Sequence, residues 1–336
     1  LTEHAHKIHQ KIITRPYFRW AHTKYLAKKY WLNFQLQKKN ALYLEALSKE
    51  VETHKFDVIY SNSSTIGIGA QLADRLNIPH VWRIREFGEE DYNLSYWKGR
   101  DHFMKWMNKA AVVSFISVAL KNKFINQIKV PTHCIYNGII SQEKLTAIAP
   151  VFEIKKKDEP FNFVIIGLIH PNKGQLEAVK AFYAVYKKYP QAKLLIVGKG
   201  RRIYTQRIKY YVKHHKMVDN VEFVGYVNDP TEIYKKMDCL LMCSKSEGMG
   251  RVTIEAMTYG KPIIGFDGGA TTELVKHKEN GLIYSKDKEL IQHMETLVEN
   301  RDLVKKYGQD GRNRASEYVT EISAAKEYDI FKNLLK

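Results

Sequence analysis

Residues 162–198 read NFVIIGLIHPNKGQLEAVKAFYAVYKKYPQAKLLIVG and predict a strand, a helix and a second strand. The runs at 162–167 and 193–198 are short, apolar and rich in β-branched residues, which is typical of buried strands. The segment 173–189 between them has the length of a helix. Because parallel strands of one sheet are joined by such crossovers, the stretch predicts a βαβ unit whose sheet is covered by helices.

The same alternation continues on both sides of this unit. Further strands are predicted at 56–61, 80–84, 112–117, 132–137, 221–225, 239–244, 262–266 and 281–285. We therefore expect an α/β protein with two doubly wound, Rossmann-like domains facing each other across a cleft. The predicted domains are residues 1–147 and 160–319, with a last helix at 320–336 crossing back to the first domain. The first half shows only about four strands, so we expect that an opening βα unit of this domain is missing.

The composition excludes several classes of protein. Hydrophobic residues make up 44% and charged residues 27% of the 336, a globular balance that excludes wholesale disorder. The three cysteines form no Cys-x-x-Cys pair, and we expect Cys239 and Cys243 to be buried thiols in a reducing cytoplasm. The net charge of +18 predicts anionic partners such as phosphates, lipid headgroups or nucleic acid.

The segment SEGMGRVTIEAMTYGKPIIGFDGG, residues 246–269, carries the clearest chemistry. Glu247 follows a predicted strand, and Glu255 lies on the helix that starts near Gly250. Glycines allow a ligand to approach the backbone closely, and the N-terminus of a helix suits a phosphate. Two carboxylates beside an anion site describe a nucleotide-sugar pocket. From the spacing alone, the alternative is that both glutamates are ordinary helix acids, because Glu-x7-Glu is a weak pattern.

The neighbouring motifs strengthen the first interpretation. The chain reads Ser-Glu-Gly-Met-Gly at 246–250, Glu-Ala-Met at 255–257, Gly-Lys-Pro-Ile-Ile at 260–264, Gly-Gly at 268–269 and Glu-Leu at 273–274. In this order the motifs resemble those of glycosyltransferase family 4, which are retaining nucleotide-sugar glycosyltransferases of GT-B architecture. Gly167 followed by Lys173-Gly174 resembles the family's phosphate-binding loop, and the resemblance extends from Phe56 to the C-terminus.

The resemblance implies a role for each site residue. Lys173 and Glu247 are the implied catalytic residues: Lys173 neutralises the departing diphosphate, and Glu247 binds a hydroxyl of the transferred sugar. Glu255 binds the ribose hydroxyls of the donor. The implied donor-binding residues are Gly167, Lys173, Gly225, Tyr226, Glu247, Gly248, Met249, Gly250, Arg251 and Glu255.

Two positions depart from the family pattern. Leu168 stands where the family usually has arginine, so one phosphate-neutralising charge is missing or comes from Arg251 or Arg85. Arg85 itself stands where the family commonly has a histidine of the first domain. We expect Arg85 and Glu86 at the acceptor or diphosphate side of the site.

These observations predict a glycosyltransferase of the hexosyltransferase type. The expected donor is a nucleotide-diphosphate sugar, above all a UDP-sugar, and the expected acceptor is a glycan or a polyprenyl-diphosphate-linked glycan in surface polysaccharide or glycolipid synthesis. The resemblance implies retention of configuration. Since the sequence contains no Asp-x-Asp, we expect no metal and no cofactor, with Lys173 and a helix N-terminus supplying the positive charge.

Other functions compete with this prediction. One is a catalytically weak glycan- or nucleotide-sugar-binding protein on the same fold. Another is a basic nucleic-acid-binding protein, although the sequence shows no helix-turn-helix, RNP-like or zinc element, so we expect no nucleic-acid partner. A nicotinamide-dependent oxidoreductase is disfavoured, because no Gly-x-Gly-x-x-Gly lies at a strand–helix junction.

Two basic segments raise the question of a membrane surface. Residues 1–50 carry ten Lys/Arg, three acidic and eight aromatic residues, and 199–216 carries seven Lys/Arg and no acidic residue. Basic helices with Trp and Tyr suit an anionic membrane, which predicts a cytoplasmic protein held peripherally at the inner face of the plasma membrane. The alternative, that aromatic residues such as Trp20 and Trp31 belong to the core, stays open.

Overall fold

The computed structural model describes residues 17–23, 30–150, 152, 155–156 and 158–336. Two compact units are present. The first contains the described residues up to Ser114 together with Phe124–His133 and Phe331–Lys336. The second contains Phe115–Lys123 and the described residues of Cys134–Ile330. No helix among the residues described is long and apolar enough to cross a membrane.

The first unit is built on a four-stranded sheet. The strands that begin in this unit are β1 (Ala21–Thr23), β2 (Ile59–Ser61), β3 (His80–Ile84), β4 (Leu94–Tyr96), β5 (Val112–Phe115) and β6 (Thr132–Cys134). The last residues of β5 and β6 belong to the second unit. The helices of the first unit are α1 (Tyr30–Glu52), α2 (Ile68–Leu76), α3 (Glu89–Tyr92) and α4 (Gly99–Met107). The sheet has the order β2-β3-β5-β6, and its four strands lie within the segments predicted at 56–61, 80–84, 112–117 and 132–137. The antiparallel ribbon of β1 and β4 was not predicted.

The core of the first unit contains Trp20, which the membrane interpretation placed at the surface. Trp20 is 2% exposed, its ring packs against Trp82 and Phe103, and its indole N–H donates to the carbonyl of Ser64 over 2.9 Å. Such burial removes an amphipathic ring from any membrane surface. The membrane interpretation is therefore wrong for Trp20, while the side chain of Trp31 lies outside the described residues.

The second unit contains a six-stranded parallel sheet. Its strands are β7 (Asn162–Ile166), β8 (Lys193–Val197), β9 (Val221–Gly225), β10 (Cys239–Met242), β11 (Ile263–Phe266) and β12 (Gly281–Tyr284). They lie in the order β12-β11-β10-β7-β8-β9, and each neighbouring pair is parallel. The predicted strands and doubly wound topology are confirmed. Because the order reverses between β7 and β10, a crevice is expected at their carboxyl ends.

The second unit also contains helices. They are α5 (Val118–Phe124), whose last residue belongs to the first unit, α6 (Gln142–Ala147), α7 (Gln175–Lys188), α8 (Arg202–His214), α9 (Thr231–Lys236), α10 (Arg251–Thr258), α11 (Thr271–Leu274), α12 (Asp287–Glu299), α13 (Arg301–Ala315) and α14 (Thr320–Leu334). The last turn of α14 belongs to the first unit, where the Phe331 ring contacts Tyr60.

The core of the second unit confirms the prediction for the two cysteines. Cys239 and Cys243 are buried free thiols among the side chains of the parallel strands. Burial raises the pKa of the Cys243 thiol to about 12, so it stays protonated. Both cysteines act as small apolar residues of the core.

Candidate active site

The reversal of strand order brings together two residues that lie 74 positions apart in the chain. Lys173 follows β7 and Glu247 follows β10, the two neighbouring strands at the reversal. The Lys173 Nζ lies 2.7 Å from the Glu247 Oε2, with side chains 30% and 16% exposed. The ion pair is therefore partly screened from water yet open to a ligand, at the place where ligands bind in doubly wound folds.

A tight turn holds Lys173. Pro171–Lys173 form one turn of 3₁₀ helix, and the His170 ring accepts a hydrogen bond from the backbone N–H of Asn172. Burial, then the charges of Arg201 and Lys173, lower the pKa of His170, which favours the neutral ring. The Ser244 hydroxyl donates to the carbonyl of Asn172, so the loops after β7 and β10 are bonded to each other.

The loop of Glu247 is packed against the Gly-Gly motif. The backbone N–H of Ala270 donates to the Glu247 carbonyl over 2.8 Å. A Cβ at Gly269 would lie 2.4 Å from that carbonyl oxygen, and one at Gly268 would lie 2.5 Å from the Lys245 carbonyl oxygen. Only glycines allow the two backbone segments to lie so close to each other. The motif at 268–269 therefore packs directly against the Glu247 loop and supports it.

Glu255 is held on both sides of its carboxylate. Its Oε1 accepts from the Arg251 guanidinium over 3.1 Å, and its Oε2 accepts from the Tyr234 hydroxyl over 2.5 Å. Tyr234 is buried and stacks on Tyr259. Burial, and then the Glu255 charge, raise the pKa of Tyr234, so its hydroxyl remains a donor. Sequence reasoning missed Tyr234, because a tyrosine on a short helix is typical of a core residue.

A cavity of about 400 Å³ adjoins Tyr234 and Glu255. Its other walls include Ile139, Ile140, Tyr259 and Thr320. The wall is mostly apolar, and the Glu255 carboxylate is the only acidic group that lines it among the described residues. The carboxylate therefore has space on this side as well as hydrogen-bond donors.

The remaining predicted donor-binding residues lie in the same unit. Gly167 directly follows β7, and Gly225 is the last residue of β9. The next residue, Tyr226, is 65% exposed. Gly248, Met249 and Gly250 are buried and lead into α10, at whose start the Arg251 side chain is exposed. The Met249 sulfur accepts from the backbone N–H of Asn137, so this side chain packs within the unit while its backbone follows the loop.

Arg85 and Glu86 lie in the first unit, in a cluster of their own after β3. The Glu86 carboxylate accepts from the Ser63 hydroxyl and from the N–H and hydroxyl of Ser64. The Arg85 guanidinium donates to the Asn62 side chain. Glu86 thus holds the loop after β2, and its role toward an acceptor stays a prediction.

Glu273 is a residue whose contacts the sequence did not reveal. Its carboxylate accepts from the backbone N–H groups of Val118 and Ala119, at the start of α5, and from the Tyr136 hydroxyl. Burial and this carboxylate raise the pKa of Tyr136. The Glu-Leu motif at 273–274 could have pointed to it, but the motif does not identify the partners.

Comparison with known proteins agrees with this architecture. The family description "Glycosyltransferase Family 4" matches residues 8–143, and "Glycosyl transferases group 1" matches residues 150–314. Together the two matches span most of the chain. It is a family 4-type GT-B glycosyltransferase.

The glycosyltransferase has relatives of several kinds. It is 25% identical over 299 residues to an uncharacterized glycosyltransferase of Haemophilus influenzae, covering 86% of this chain and 80% of that one. It is 31% identical over 165 residues to the poly(glycerol-phosphate) alpha-glucosyltransferase of Bacillus subtilis, covering 48% and 24%. The crystal structure of Anabaena HepE in complex with UDP has the same fold, with a TM-score of 0.73, 20% identity and coverage of 87% and 82%.

Proposed function

We propose that the glycosyltransferase transfers a sugar from a nucleotide-diphosphate sugar, a UDP-sugar, to a glycan or polyprenyl-diphosphate-linked acceptor. The observation that carries this proposal is the pair of Lys173 and Glu247, 2.7 Å apart at the reversal of strand order. It supplies one cation for a diphosphate and one carboxylate for a sugar hydroxyl. The UDP bound by HepE, which shares the fold, supports the choice of donor.

In the proposed reaction the acceptor oxygen attacks the anomeric carbon on the face that the diphosphate leaves. The carbon–oxygen bond to the diphosphate breaks, and the acceptor proton passes to the departing phosphate oxygen, so configuration is retained. Lys173 and the N-terminus of α10 balance the growing negative charge without a metal, and we propose no cofactor. Glu247 orients the sugar and Glu255 the ribose, with Arg251 and Tyr234 holding Glu255.

The proposed setting is peripheral to an anionic membrane. The net charge of +18 and the basic stretch at 199–216 support it. The relative from Bacillus subtilis is named a poly(glycerol-phosphate) alpha-glucosyltransferase. The name specifies a polymer of glycerol phosphate and an α-linked glucosyl group. The first part of this name favours an acceptor that carries phosphate, and an α-linked product would correspond to retention if the donor sugar is itself α-linked to its diphosphate.

The test combines donor binding with product analysis. In a panel of UDP-, GDP-, ADP- and TDP-sugars, we expect UDP-sugars to raise the melting temperature, because a ligand of the folded state stabilises it. With an acceptor, NMR of the product should show the anomeric configuration of the donor, and the rate should be unchanged by EDTA. An inverted product or a rate abolished by EDTA would contradict the mechanism. Binding without transfer or hydrolysis would favour the catalytically weak binding protein.

A further inference from the structure

Helix α8 carries a one-sided charge distribution. Its inner side packs through Ile208 and Val212, which are buried in the core of the second unit. Its outer side, together with the residues that flank it, is positively charged. The cations are Lys199, Arg201, Arg202, Arg207, Lys209, Lys213 and Lys216, all exposed, and we call this surface the basic face.

The charge of the basic face is not balanced locally. Residues 199–216 contain no Asp or Glu. Within the part of the chain that the structure describes, none of the seven cations forms an ion pair. Lys209 instead lies over the Phe223 ring. Seven uncompensated cations on one surface need an anionic partner or remain solvated.

Apolar side chains project from the middle of these cations. Ile203 is 88% exposed and Tyr210 is 72% exposed. They are seven residues apart, which places them on the same side of the helix, two turns from each other. Basic residues around projecting apolar side chains are the composition of a helix that lies in a membrane interface, where the apolar side chains enter the headgroup region. A nucleic acid would account for the cations but not for Ile203.

The basic face adjoins the candidate active site within the same unit. The backbone N–H of Arg201 donates to the carbonyl of Ile169, in the loop that leads to Lys173. A Cβ at Gly200 would lie 1.9 Å from that same carbonyl oxygen, so the two loops are in direct contact. A surface that binds lipid here would keep a membrane-bound acceptor close to the carboxyl edge of the sheet.

We infer that the basic face of α8 is the surface by which this glycosyltransferase binds an anionic phospholipid bilayer, with Ile203 and Tyr210 entering the headgroup region. The inference rests on the proposed peripheral membrane setting and names the surface responsible. It does not depend on the identity of the sugar.

The test measures binding to vesicles by sedimentation. The probe is phosphatidylglycerol mixed with phosphatidylcholine, compared with phosphatidylcholine alone. The variant R202Q/R207Q/K209Q/K213Q removes four cations of the basic face. The matched control K288Q/K305Q/K306Q/K326Q removes four exposed lysines from α12, α13 and α14 of the same unit. We expect the first variant to lose more than tenfold in partition to anionic vesicles and the control less than threefold, since each cation near such a surface contributes separately.

A second pair of variants tests the apolar part. I203S/Y210S should lose the binding that persists at 0.5 M salt, because salt screens the charges but not the apolar contact. Y328S, another tyrosine that is 65% exposed, should leave it intact. Equal losses in the two quadruple variants, or retention of full vesicle binding by the first of them, would overturn the inference. So would unchanged vesicle binding accompanied by loss of binding to single-stranded RNA.

The folded state and donor binding are monitored in parallel. Melting temperature and the shift produced by the UDP-sugar should be unchanged in all four variants, because none of the substituted residues belongs to the candidate active site. If the UDP-sugar does not raise the melting temperature of the wild-type protein, the proposed function is contradicted and the membrane inference is not. The membrane inference is contradicted only by the vesicle-binding measurements, so the two failures can be told apart.

Discussion

Lys173 is the residue on which the proposed chemistry depends most. In the structure its charge is compensated by the Glu247 carboxylate at 2.7 Å. A bound diphosphate offers a stronger anion, whose charge increases further as the bond to the sugar breaks. An interaction that strengthens in the transition state raises kcat rather than binding alone.

We therefore predict that Lys173→Ala lowers kcat by about 100-fold to 1000-fold, in the range found when one charge-stabilising donor is removed. The Michaelis constant for the donor should change much less. Lys180→Ala serves as the control, since Lys180 is an exposed lysine of α7. A kcat unchanged in Lys173→Ala would contradict the catalytic assignment.

Tyr234 acts at the same scale through Glu255. Its hydroxyl donates to the carboxylate over 2.5 Å, and a hydrogen bond to a charged group contributes about 1.5–3 kcal/mol. Glu255 keeps Arg251 as a second partner, so part of its orientation survives the loss of the hydroxyl.

Tyr234→Phe should weaken UDP binding about fivefold to tenfold, roughly 1–1.4 kcal/mol by the relation between affinity and free energy. Tyr259→Phe is the matched control: its ring is the other member of the stacked pair, and its hydroxyl contacts Thr231 instead of Glu255. Titration calorimetry measures both. Equal affinities for Tyr234→Phe and the wild-type protein would show that the hydroxyl does not position Glu255.

At the scale of elements, Glu273 of α11 joins two other segments of the second unit. One carboxylate accepts from two backbone N–H groups at the start of α5 and from Tyr136. Unpaired N–H groups at a helix N-terminus are satisfied by such an acceptor, and the negative charge is favoured by the helix dipole. The contact adds to the cap that α5 has from its own sequence, where the Ser117 hydroxyl accepts from the backbone N–H of Leu120 over 3.2 Å.

Glu273→Gln should lower the free energy of unfolding by about 1–3 kcal/mol, because the amide keeps the size of the side chain but loses its charge and one acceptor. Urea unfolding followed by circular dichroism measures the loss. Glu279→Gln, six residues further on at an exposed position, should change the midpoint little. Equal midpoints for the two variants would exclude the capping role.

At the scale of the whole molecule, a buried histidine links stability to pH. His80 on β3 is 4% exposed, and its Nε2 shares a hydrogen bond with the Ser61 hydroxyl. Burial lowers the pKa of His80 from 6.5 to about 4. Between these values the unfolded chain binds a proton that the folded chain does not, so stability rises with pH in this window.

We predict that acidification from pH 6.5 to 4 costs the protein about 3 kcal/mol through His80, at about 1.36 kcal/mol for each pH unit. Other acidic and basic groups also change the free energy of unfolding with pH, for example through repulsion among the cations. Their contribution is the same in the wild-type protein and in His80→Gln, so it cancels in the difference between the two. The difference in unfolding free energy between the two proteins should narrow or reverse as the pH falls. A difference independent of pH would contradict a depressed pKa.

The sequence was sufficient for the architecture of the second unit. Short β-branched runs such as 162–166 and 193–197 fix strands locally, and alternation with helices then allows only a parallel, doubly wound sheet. The meeting of Lys173 with Glu247 follows from this topology, because residues after neighbouring parallel strands lie at the same edge.

Other features depend on contacts that a single sequence does not encode locally. The β1–β4 ribbon pairs three-residue strands more than 70 positions apart, with no alternation long enough to detect. Trp20 has the same local context whether it faces lipid or packs on Trp82, and only the tertiary structure decides. The partners of Glu255 and Glu273 were missed for the same reason, since Tyr234 and Val118 carry no motif.

Gly198, which follows β8, and Gly225, the last residue of β9, differ in how easily another residue can replace them. Both Gly198 and Gly225 have positive φ, at +136° and +84°. A Cβ at Gly198 would lie 1.9 Å from the carbonyl oxygen of Gly167, whereas one at Gly225 would meet no atom within 4 Å. Substitution at Gly225 therefore costs backbone strain of about 1–2 kcal/mol, while at Gly198 it also requires the neighbouring loop to move. Single mutations at Gly225 can therefore place new side chains beside Tyr226, a predicted donor-binding residue, whereas at Gly198, one strand away, the Gly167 carbonyl blocks them.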